Sequence, residues 1–383
     1  MYKKRKIVRA VTVSQSVRFF VDIIPDIQSL NMEVIAVSSA GPELLQVKEA
    51  GGRVITIEMR RHFSPIKDLK SLYKMVKVFR KEKPLMIHSM TPKAGLLCMM
   101  AGWLTKIPIR IHTFTGLIFP TSTGIKRKIL MATDWLTCAC ATHIIPEGEG
   151  VKKDLLNHKI TNKQIKVLGH GNCRGIDLGK FDRTNDVICK ADNIHKDGYF
   201  TFITIGRIVG DKGINELVEA FCRINNEFSN TRLVLVGSYE AELDPIHPAT
   251  LNEINENPNI EAVGQRNDVR PWLAASDCAV LASYREGFPN IVIEAGAMGL
   301  PQIVTDINGA NEIIVEGKNG TIVPPRDSDA LYNAMKRMII DKPWRDNLAS
   351  NARKMIADRY EQSYVRECLI NFYKEVLSSS NLE

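Results

Sequence analysis

The apolar residues of the chain fall into short runs that alternate with longer amphipathic stretches. In the first half, β-branched apolar runs predict strands at 7–13, 34–37, 54–57, 86–88, 109–113 and 143–145. The second half repeats the pattern, with strands predicted at 199–205, 232–236, 260–263, 278–281, 302–305 and 320–323. Apolar strands that alternate with helices indicate parallel sheets covered on both faces. The sequence therefore predicts an α/β protein with two doubly wound, Rossmann-like domains.

Helical periodicity fills the intervals between these strands. Helices are predicted at 17–30, 68–81 and 94–104, and then at 214–227, 271–275, 290–298, 329–340 and 345–358. The polar, glycine-rich stretch 169–186 is the predicted hinge between the domains. We therefore expect an N-terminal domain at 1–175 and a C-terminal domain at 176–360. The last segment, 361–383, is predicted to form a helix that crosses back to the N-terminal domain.

Charge differs between the two halves. Residues 1–175 hold 29 Lys and Arg against 12 Asp and Glu, whereas residues 176–383 hold 22 against 31. Such asymmetry indicates domains with different partners, and the basic half suits anionic lipid, an anionic substrate or nucleic acid. Its basic clusters lack regular aromatic interleaving and any known nucleic-acid motif, so no nucleic-acid partner is expected.

The predicted helix at 67–81 is amphipathic and basic. Its apolar side holds Leu69, Leu72, Tyr73, Val76 and Phe79, and its other side holds Lys70, Lys74, Lys77 and Lys81. A second basic cluster follows at 126–128. These features predict peripheral contact with an anionic membrane. An ordinary Rossmann helix with a solvated basic face is the alternative.

Cysteine usage and hydropathy bear on the compartment. The eight cysteines are scattered without metal-ligand spacing, which fits a reducing environment. The longest weakly polar run, 94–105, has 12 residues, whereas a bilayer-spanning helix needs about 20. The sequence predicts a cytoplasmic protein without a transmembrane anchor.

The first chemical motif runs from Glu286 to Glu294, between a predicted strand and a predicted helix. Free N–H groups at a helix start, with the helix dipole behind them, attract an anion such as phosphate. The carboxylate of Glu294 can accept hydrogen bonds from vicinal hydroxyls such as those of a ribose. Glu286 precedes the turn and can reach a sugar beyond the phosphates. The alternative is a carboxylate pair that only caps the helix electrostatically.

The second motif runs from Gly206 to Gly213, directly after the strand at 199–205. Its glycines permit tight turns, and Arg207 and Lys212 bring two cations to the carboxyl end of the strand. A diphosphate leaving group needs such compensation because negative charge builds on it as its bond breaks. The motif is not a P-loop, since the G-x4-G-K-[ST] pattern is missing. A solvated loop with two incidental charges is the alternative.

The order and spacing of these motifs resemble the family-4 retaining glycosyltransferases of the GT-B fold, also called glycosyl transferases group 1. The resemblance is close over about 170–360 and looser before it. The segments that carry it are GRIVGDKGINELVEAF at 206–221, LVLVGSYE at 233–240, the stretch 263–306 that contains REGFPNIVIEAGAMGLP, and NGANEIIVEGKNGTIVPPRD at 308–327. The resemblance implies two Rossmann-like domains that face a central cleft.

The resemblance also implies roles for residues of the second half. Arg207 and Lys212, beside Gly206, match residues that hold the donor diphosphate, and Glu294 matches the residue that binds the ribose. Glu286 matches a residue that contacts the transferred sugar, together with the backbone of Gly287, Phe288, Pro289, Asn290 and Ile291. Gly264 and Arg266 lie in the segment similar to the base-contacting loop. No essential metal is expected, since the family usually dispenses with one and the sequence has no D-x-D.

In the first half, Thr115 and Gly116 follow the predicted strand at 109–113 and resemble the acceptor-side loop of the family. A His commonly precedes this glycine, but here Thr115 takes its place and His112 lies three residues upstream. This departure puts a catalytic His in doubt, and the Thr115 hydroxyl is expected to bond the sugar instead. An ordinary strand-to-helix turn is the alternative. Ser14 follows the first strand, where its amide is expected to approach the phosphates.

The resemblance therefore predicts a retaining, metal-independent glycosyltransferase. A UDP-sugar is the expected donor, and a lipid-linked saccharide of surface polysaccharide or glycan assembly is the expected acceptor. Two alternatives remain open: a GT-B-fold epimerase that acts on a nucleotide sugar, and a non-catalytic subunit that binds one. Product analysis separates the transferase from the epimerase, because an epimerase needs no acceptor. The presence of Arg207, Lys212, Glu286 and Glu294 argues against a non-catalytic subunit.

Overall fold

The computed structural model describes residues 4–60, 64–240 and 244–379. The chain divides into two compact units. The first comprises the residues up to Gly175 together with those from Ser363 onwards, and the second comprises Ile176–Gln362. Each unit is built around one six-stranded sheet whose strand pairs are parallel.

The first sheet has the order β3-β2-β1-β4-β5-β6. Its strands are β1 (Arg5–Ala10), β2 (Met32–Ser38), β3 (Arg53–Thr56), β4 (Met86–Met90), β5 (Ile109–Phe114) and β6 (His143–Pro146). In the register, Ile7 lies opposite Val34 on one side and Met86 on the other. Four of these six strands are almost wholly buried, as expected for a parallel sheet with helices on both faces.

The second sheet has the order β12-β11-β10-β7-β8-β9. Its strands are β7 (Phe200–Ile205), β8 (Thr231–Val236), β9 (Ile260–Gly264), β10 (Cys278–Leu281), β11 (Gln302–Thr305) and β12 (Gly320–Val323). Every strand predicted from the hydrophobic runs is present in the two sheets. The predicted α/β class with two doubly wound sheets is confirmed.

Helices connect the strands and cover the sheets. In chain order they are α1 (Ile24–Ser29), α2 (Leu44–Glu49), α3 (Pro65–Glu82), α4 (Pro92–Leu104), α5 (Gly124–Cys140), α6 (Glu149–Asn157), α7 (Asn185–Asp192), α8 (Ile214–Glu227), α9 (Pro248–Glu256), α10 (Arg270–Ala274), α11 (Asn290–Ala297), α12 (Ala310–Ile313), α13 (Ser328–Ile340), α14 (Lys342–Tyr360) and α15 (Gln362–Ser379). Among the described residues, no helix has both the length and the apolar character that crossing a bilayer requires.

Two apolar cores flank the first sheet because successive side chains of a strand point to opposite faces. Val8 packs in the core beneath α3, α4 and α5. Its neighbour Ile7 packs in the core of the other face, which includes Leu369, Phe372 and Val376 of α15. The C-terminal helix is therefore part of the first unit.

A buried polar contact fixes α15 against the sheet. The Tyr373 hydroxyl accepts a hydrogen bond from Nη1 of the fully buried Arg9 at 2.5 Å. It also lies 2.6 Å from Nδ1 of His88, whose Nε2 is 2.7 Å from Oγ1 of Thr113. Burial and the nearby Arg9 hold the pKa of His88 well below its usual value. His88 is therefore neutral, and its Nδ1 can accept the Tyr373 proton.

The end of α3 is tied to the edge of the sheet by an ion-pair cluster. The carboxylate of Glu82 accepts hydrogen bonds from Arg53 at 2.6 and 2.9 Å and from Lys6 at 2.8 Å. The hydrogen bonds from Arg53, opposed by burial and supported by Lys6, lower the pKa of Glu82 to about 2. Glu82 therefore stays ionised through most of the acidic range.

Two helix predictions need correction. The single helix predicted at 17–30 is wrong: two 3₁₀ turns, Ser14–Phe19 and Val21–Ile23, precede the six-residue α1. Phe20 interrupts the helical backbone with φ −146°, and Pro25 favours a new helix start because it lacks a donor.

The residues predicted to form the apolar side of the basic helix, α3, are only partly buried. In α3, Met75 and Phe79 are buried, whereas Leu69 and Tyr73 are 67% and 69% exposed. The apolar stripe is wider than the face that contacts the rest of the unit, so side chains at its rim remain in solvent.

Candidate active site

The strand order of the second sheet creates a switch point at β7. From β7 the chain continues to β8 on one side, whereas β10 lies on the other side. Loops that leave the carboxyl ends of two such strands diverge, and ligands of open α/β sheets bind in the crevice between them. The loop after β7 carries Arg207 and Lys212, and the loop after β10 carries Glu286.

The two loops contact each other directly. Lys212 Nζ forms an ion pair with Oε1 of Glu286, and both side chains are about one-fifth exposed (21% and 19%). Nearby, Arg285 Nη2 lies 2.8 Å from Oδ2 of Asp211, and the backbone N–H of Tyr284 donates to the Asp211 carbonyl at 2.9 Å. The structure thus brings together the two motifs that the sequence singles out.

Gly213 permits the close approach of these loops. It precedes α8 with φ +67°, and an added Cβ would lie 2.0 Å from the carbonyl oxygen of Ala282, just beyond β10. No other residue fits this position without moving the backbone. Gly206 differs, because an added Cβ there would meet no atom within 4 Å. The protein's own packing does not require a glycine at position 206, whereas a ligand that approaches the backbone would.

Arg207 lies beside two carboxylates at the same end of the sheet. Its Nη1 is 2.9 Å from Oε2 of Glu240, and its Nη2 is 3.9 Å from Oδ1 of Asp211. Burial opposes the charge of Arg207, but the hydrogen bond to Glu240 and the surrounding carboxylates outweigh it and raise the Arg207 pKa. Glu240, which follows β8, was not predicted as a site residue.

Three glycines line up at the carboxyl ends of neighbouring strands. The N–H of Gly237 donates to the carbonyl of Gly264 at 3.0 Å, and an added Cβ on Gly237 would lie 1.7 Å from the carbonyl oxygen of Gly206. Gly264 ends β9, the edge strand beyond β8, with φ +73°. Arg266 follows it and lies over the Trp272 ring at 5.3 Å. The predicted base-contacting segment is therefore two strands away from β7.

The loop from Gly287 to Ile291 leads into α11. Phe288 is buried and packs edge-on against Tyr360, with ring centroids 5.6 Å apart, so its backbone alone can meet a ligand. Pro289 precedes the first helical residue, Asn290, and Glu294 is half-buried in the second turn. Gly309 supports the loop from behind, since its added Cβ would lie 2.5 Å from the Gly287 carbonyl oxygen.

The remaining predicted residues belong to the first unit. Thr115 and Gly116 directly follow β5, are half-buried, and turn the chain with φ +123° at the glycine. Ser14 follows β1 and is buried, with its hydroxyl donating to Glu43 at 2.6 Å. Its side chain is therefore engaged within the protein.

His112 lies in the core of the first unit and not in the loop after β5. It is 1% exposed, its Nδ1 is 2.9 Å from Oγ of Ser89, and its ring meets Phe114 edge-on. Burial lowers the pKa of His112 to about 3, so the ring is neutral. Its position gives it a packing role.

Across 4–60, 64–240 and 244–379 there is no group of three or more His, Cys, Asp and Glu side chains that could hold a metal ion.

Both halves of the chain match models of known families. Residues 18–171 match the glycosyl transferase 4-like domain, and residues 199–341 match glycosyl transferases group 1. Over 381 residues the chain is 34% identical to the capsular polysaccharide biosynthesis glycosyltransferase CapM of Staphylococcus aureus, with 99% of each chain covered. The chain belongs to the group 1 glycosyltransferases. This confirms the resemblance predicted from the sequence motifs.

Further comparisons agree on family and fold. This glycosyltransferase is 30% identical over 310 residues to the UDP-Gal:alpha-D-GlcNAc-diphosphoundecaprenol alpha-1,3-galactosyltransferase of Escherichia coli, with 78% of each chain covered. Its structure is similar to that of Anabaena HepE in complex with UDP and glucose, with a TM-score of 0.80 at 18% identity over 98% of this chain and 100% of HepE. The predicted GT-B fold is confirmed.

Proposed function

We propose that this protein is a retaining glycosyltransferase that transfers a sugar from a UDP-sugar to a hydroxyl group of a lipid-linked saccharide. The observation that carries the proposal is the meeting of Lys212 and Glu286 at the switch point of the second sheet. The E. coli relative supports the donor and acceptor classes, since its name gives UDP-Gal and a diphosphoundecaprenol-linked sugar. CapM, named for capsular polysaccharide biosynthesis, supports a role in polysaccharide assembly.

In this proposal Arg207 and Lys212 hold the donor diphosphate. In the free protein each cation faces a carboxylate, Glu240 for Arg207 and Glu286 for Lys212. Donor phosphates replace these partners, and the open space beside Gly206 lets them approach the backbone. The donor therefore exchanges ion pairs rather than meeting unpaired charges.

The rest of the donor lies along the same end of the sheet. Glu294 accepts hydrogen bonds from the ribose hydroxyls, and the segment of Gly264 and Arg266 contacts the base. Glu286 and the backbone from Gly287 to Ile291 orient the transferred sugar.

Catalysis in this proposal is mainly charge stabilisation. As the bond from the sugar to the diphosphate breaks, negative charge builds on the leaving phosphate, and Arg207 and Lys212 stabilise it. The leaving phosphate accepts the proton of the attacking hydroxyl on the same face of the sugar, so the anomeric configuration is retained without a protein nucleophile. From the first unit, the Thr115 hydroxyl bonds the sugar, and the amides of Ser14 and Gly116 approach the donor. No metal is required.

Donor binding is tested by thermal unfolding with UDP, GDP and ADP, each with and without Mg²⁺. We expect UDP alone to raise the melting temperature, because a ligand at about 100 times its Kd stabilises the folded state by about 2.7 kcal/mol. Lys212→Ala should lose this shift. Lys190→Ala should keep it, since Lys190 is an exposed residue of α7 that pairs with Asp186.

Several results would contradict the proposal. If no nucleotide raises the melting temperature, the proposed donor site is contradicted. If UDP raises the melting temperature of Lys212→Ala as much as that of the wild type, the role proposed for Lys212 is contradicted. A shift that appears only with Mg²⁺ would overturn metal independence.

A further inference from the structure

The layer formed by α3, α4 and α5 carries an unusual share of exposed apolar side chains. Among the described residues fourteen large hydrophobic side chains are exposed, and eight of them lie on these three helices. α4 packs against both α3 and α5, so the helices form one continuous layer over the first sheet. We call the solvent side of this layer the outer face. A concentration of exposed apolar side chains on one layer marks an interaction site.

On α3 the exposed apolar residues form a stripe next to a stripe of lysines. Ile66, Leu69 and Tyr73 are 86%, 67% and 69% exposed and recur at intervals of three and four residues. Lys70 and Lys74 are also exposed and lie one position further around the helix. An apolar stripe beside a basic stripe is typical of helices that lie in the surface of a membrane.

α4 continues the apolar surface without a charged residue. Leu96, Met100 and Trp103 recur on its outward side, where the first two are half-buried and Trp103 is 59% exposed. Most of its other residues are buried, and no charged side chain follows Lys93 within the helix. A helix that is apolar all round is normally covered on every side, but the outward side of α4 meets solvent.

α5 completes the outer face with both kinds of side chain. Ile125 is 78% exposed, Ile129 is 41% exposed, and Trp135 near the other end is 55% exposed. Lys126 and Lys128 are exposed beside them. Tryptophan is enriched where proteins meet the interface between lipid and water.

None of the carboxylates on the three helices is exposed. Asp68 lies 2.5 Å from Lys93 Nζ, and both side chains are largely buried. Glu82 is buried in its ion pairs with Arg53 and Lys6, and Asp134 is partly covered, with burial raising its pKa to about 7. The outer face thus presents cations and apolar groups without an opposing exposed acid.

We propose that the outer face of α3, α4 and α5 docks on an anionic bilayer, with the apolar side chains inserted among the lipids and the lysines against their phosphates. Charge complementarity selects this partner, because an apolar face without exposed acids favours a surface of uniformly negative headgroups. The amino-terminal ends of α3 and α5 lie at the carboxyl edge of the first sheet, where Thr115 follows β5. If the proposed function holds, a lipid-linked acceptor in that bilayer reaches this edge.

Vesicle flotation with intrinsic tryptophan fluorescence tests the docking. Vesicles of equimolar phosphatidylglycerol and phosphatidylcholine should bind the full chain, whereas vesicles of phosphatidylcholine alone should bind it weakly. Brominated lipid should quench Trp103 and Trp135 on the outer face. The double variant Trp103→Phe/Trp135→Phe should be quenched less than the wild type, because it removes both tryptophans of the first unit.

Matched variants separate the apolar and the charged contributions. Leu69→Ser/Tyr73→Ser should lower partitioning about tenfold, from loss of inserted apolar area. Lys70→Gln/Lys74→Gln should lower it roughly 30-fold at low salt, because each cation near an anionic surface contributes about fivefold. The control variants on α2, Leu45→Ser and Lys48→Gln, replace exposed residues elsewhere on the unit and should bind as the wild type does.

Three outcomes would overturn the docking proposal. Anionic vesicles fail to bind the protein, or they bind the outer-face variants as tightly as the wild type. Alternatively, the wild type self-associates without lipid and Leu69→Ser/Tyr73→Ser makes it monomeric, which assigns the face to a second copy of the chain. If the wild type binds anionic vesicles but does not bind UDP, the proposed function is contradicted and the docking proposal is not.

Discussion

Replacing the two partners of the Lys212–Glu286 pair should change the affinity for UDP in opposite directions. In Lys212→Ala the diphosphate loses a charged hydrogen-bond donor, and such bonds contribute about 1.5–3 kcal/mol, so UDP should bind roughly ten- to hundredfold more weakly. In Glu286→Gln the carboxylate that competes for Lys212 is removed. The pair is one-fifth exposed and partly screened, so we expect a gain of only about 1 kcal/mol, or roughly fivefold tighter UDP binding.

Titration calorimetry with UDP measures both constants, and sugar transfer is measured on the same samples. Glu286→Gln should bind UDP more tightly and yet transfer sugar more slowly, since Glu286 orients the sugar in this account. Lys190→Ala controls for the loss of a paired lysine elsewhere in the unit. If both variants weaken UDP binding alike, the pair is a structural contact, and the reasoning that donor phosphates displace Glu286 is refuted.

The remaining predictions concern stability. Gly213→Ala should lower the free energy of unfolding, measured by chemical denaturation, by about 2–4 kcal/mol, because the added Cβ meets a backbone carbonyl. Gly206→Ala should change it by less than about 0.5 kcal/mol but should weaken UDP binding. Tyr373→Phe leaves the buried Arg9 and His88 without their hydroxyl partner and should lower the free energy of unfolding by about 2–4 kcal/mol. The control Tyr73→Phe, at an exposed position, should change it little. In the folded protein the pKa of Glu82 is lowered to about 2. The Glu82 ion pairs therefore contribute to the free energy of unfolding at pH values above the unfolded-state pKa, and this contribution is lost as the pH falls towards about 2. Glu82→Gln should therefore lower the free energy of unfolding by about 2 kcal/mol near pH 7 and by about half as much near pH 3. A pH-independent cost would contradict that assignment.

The strands were predictable because most of them are short, mainly apolar runs bounded by polar residues. A parallel strand such as β10 is buried on both faces, and its sequence is a continuous apolar run. The helices were harder to predict. α5 was missed because it begins at Gly124 and has few fully buried residues, so its apolar periodicity is weak. The exposure of Leu69 and Tyr73 depends on how much of α3 its neighbours cover, which local sequence does not encode.

For the site, the switch-point rule predicts that a ligand binds between the loops after β7 and β10. The contact between Lys212 and Glu286 across these loops comes from the structure. Glu240 was missed although it ends the segment LVLVGSYE, because the sequence gives no sign of its partner and only the fold places it beside Arg207. The roles assigned to individual residues remain predictions. The same holds for Thr115 in the first unit, whose sequence context departs from that of the family.

The most direct test of the central claim is the product formed from a UDP-sugar and a polyprenyl-diphosphate-linked saccharide. Proton NMR of the purified product gives the anomeric configuration of the new linkage, and chromatography gives the UDP released. We predict an α-linked sugar on the acceptor, one UDP for each sugar transferred, and no sugar product when the acceptor is omitted. A β-linkage would contradict retention. A donor epimer formed without acceptor, or no product from any UDP-sugar, would contradict glycosyl transfer from UDP-sugars itself.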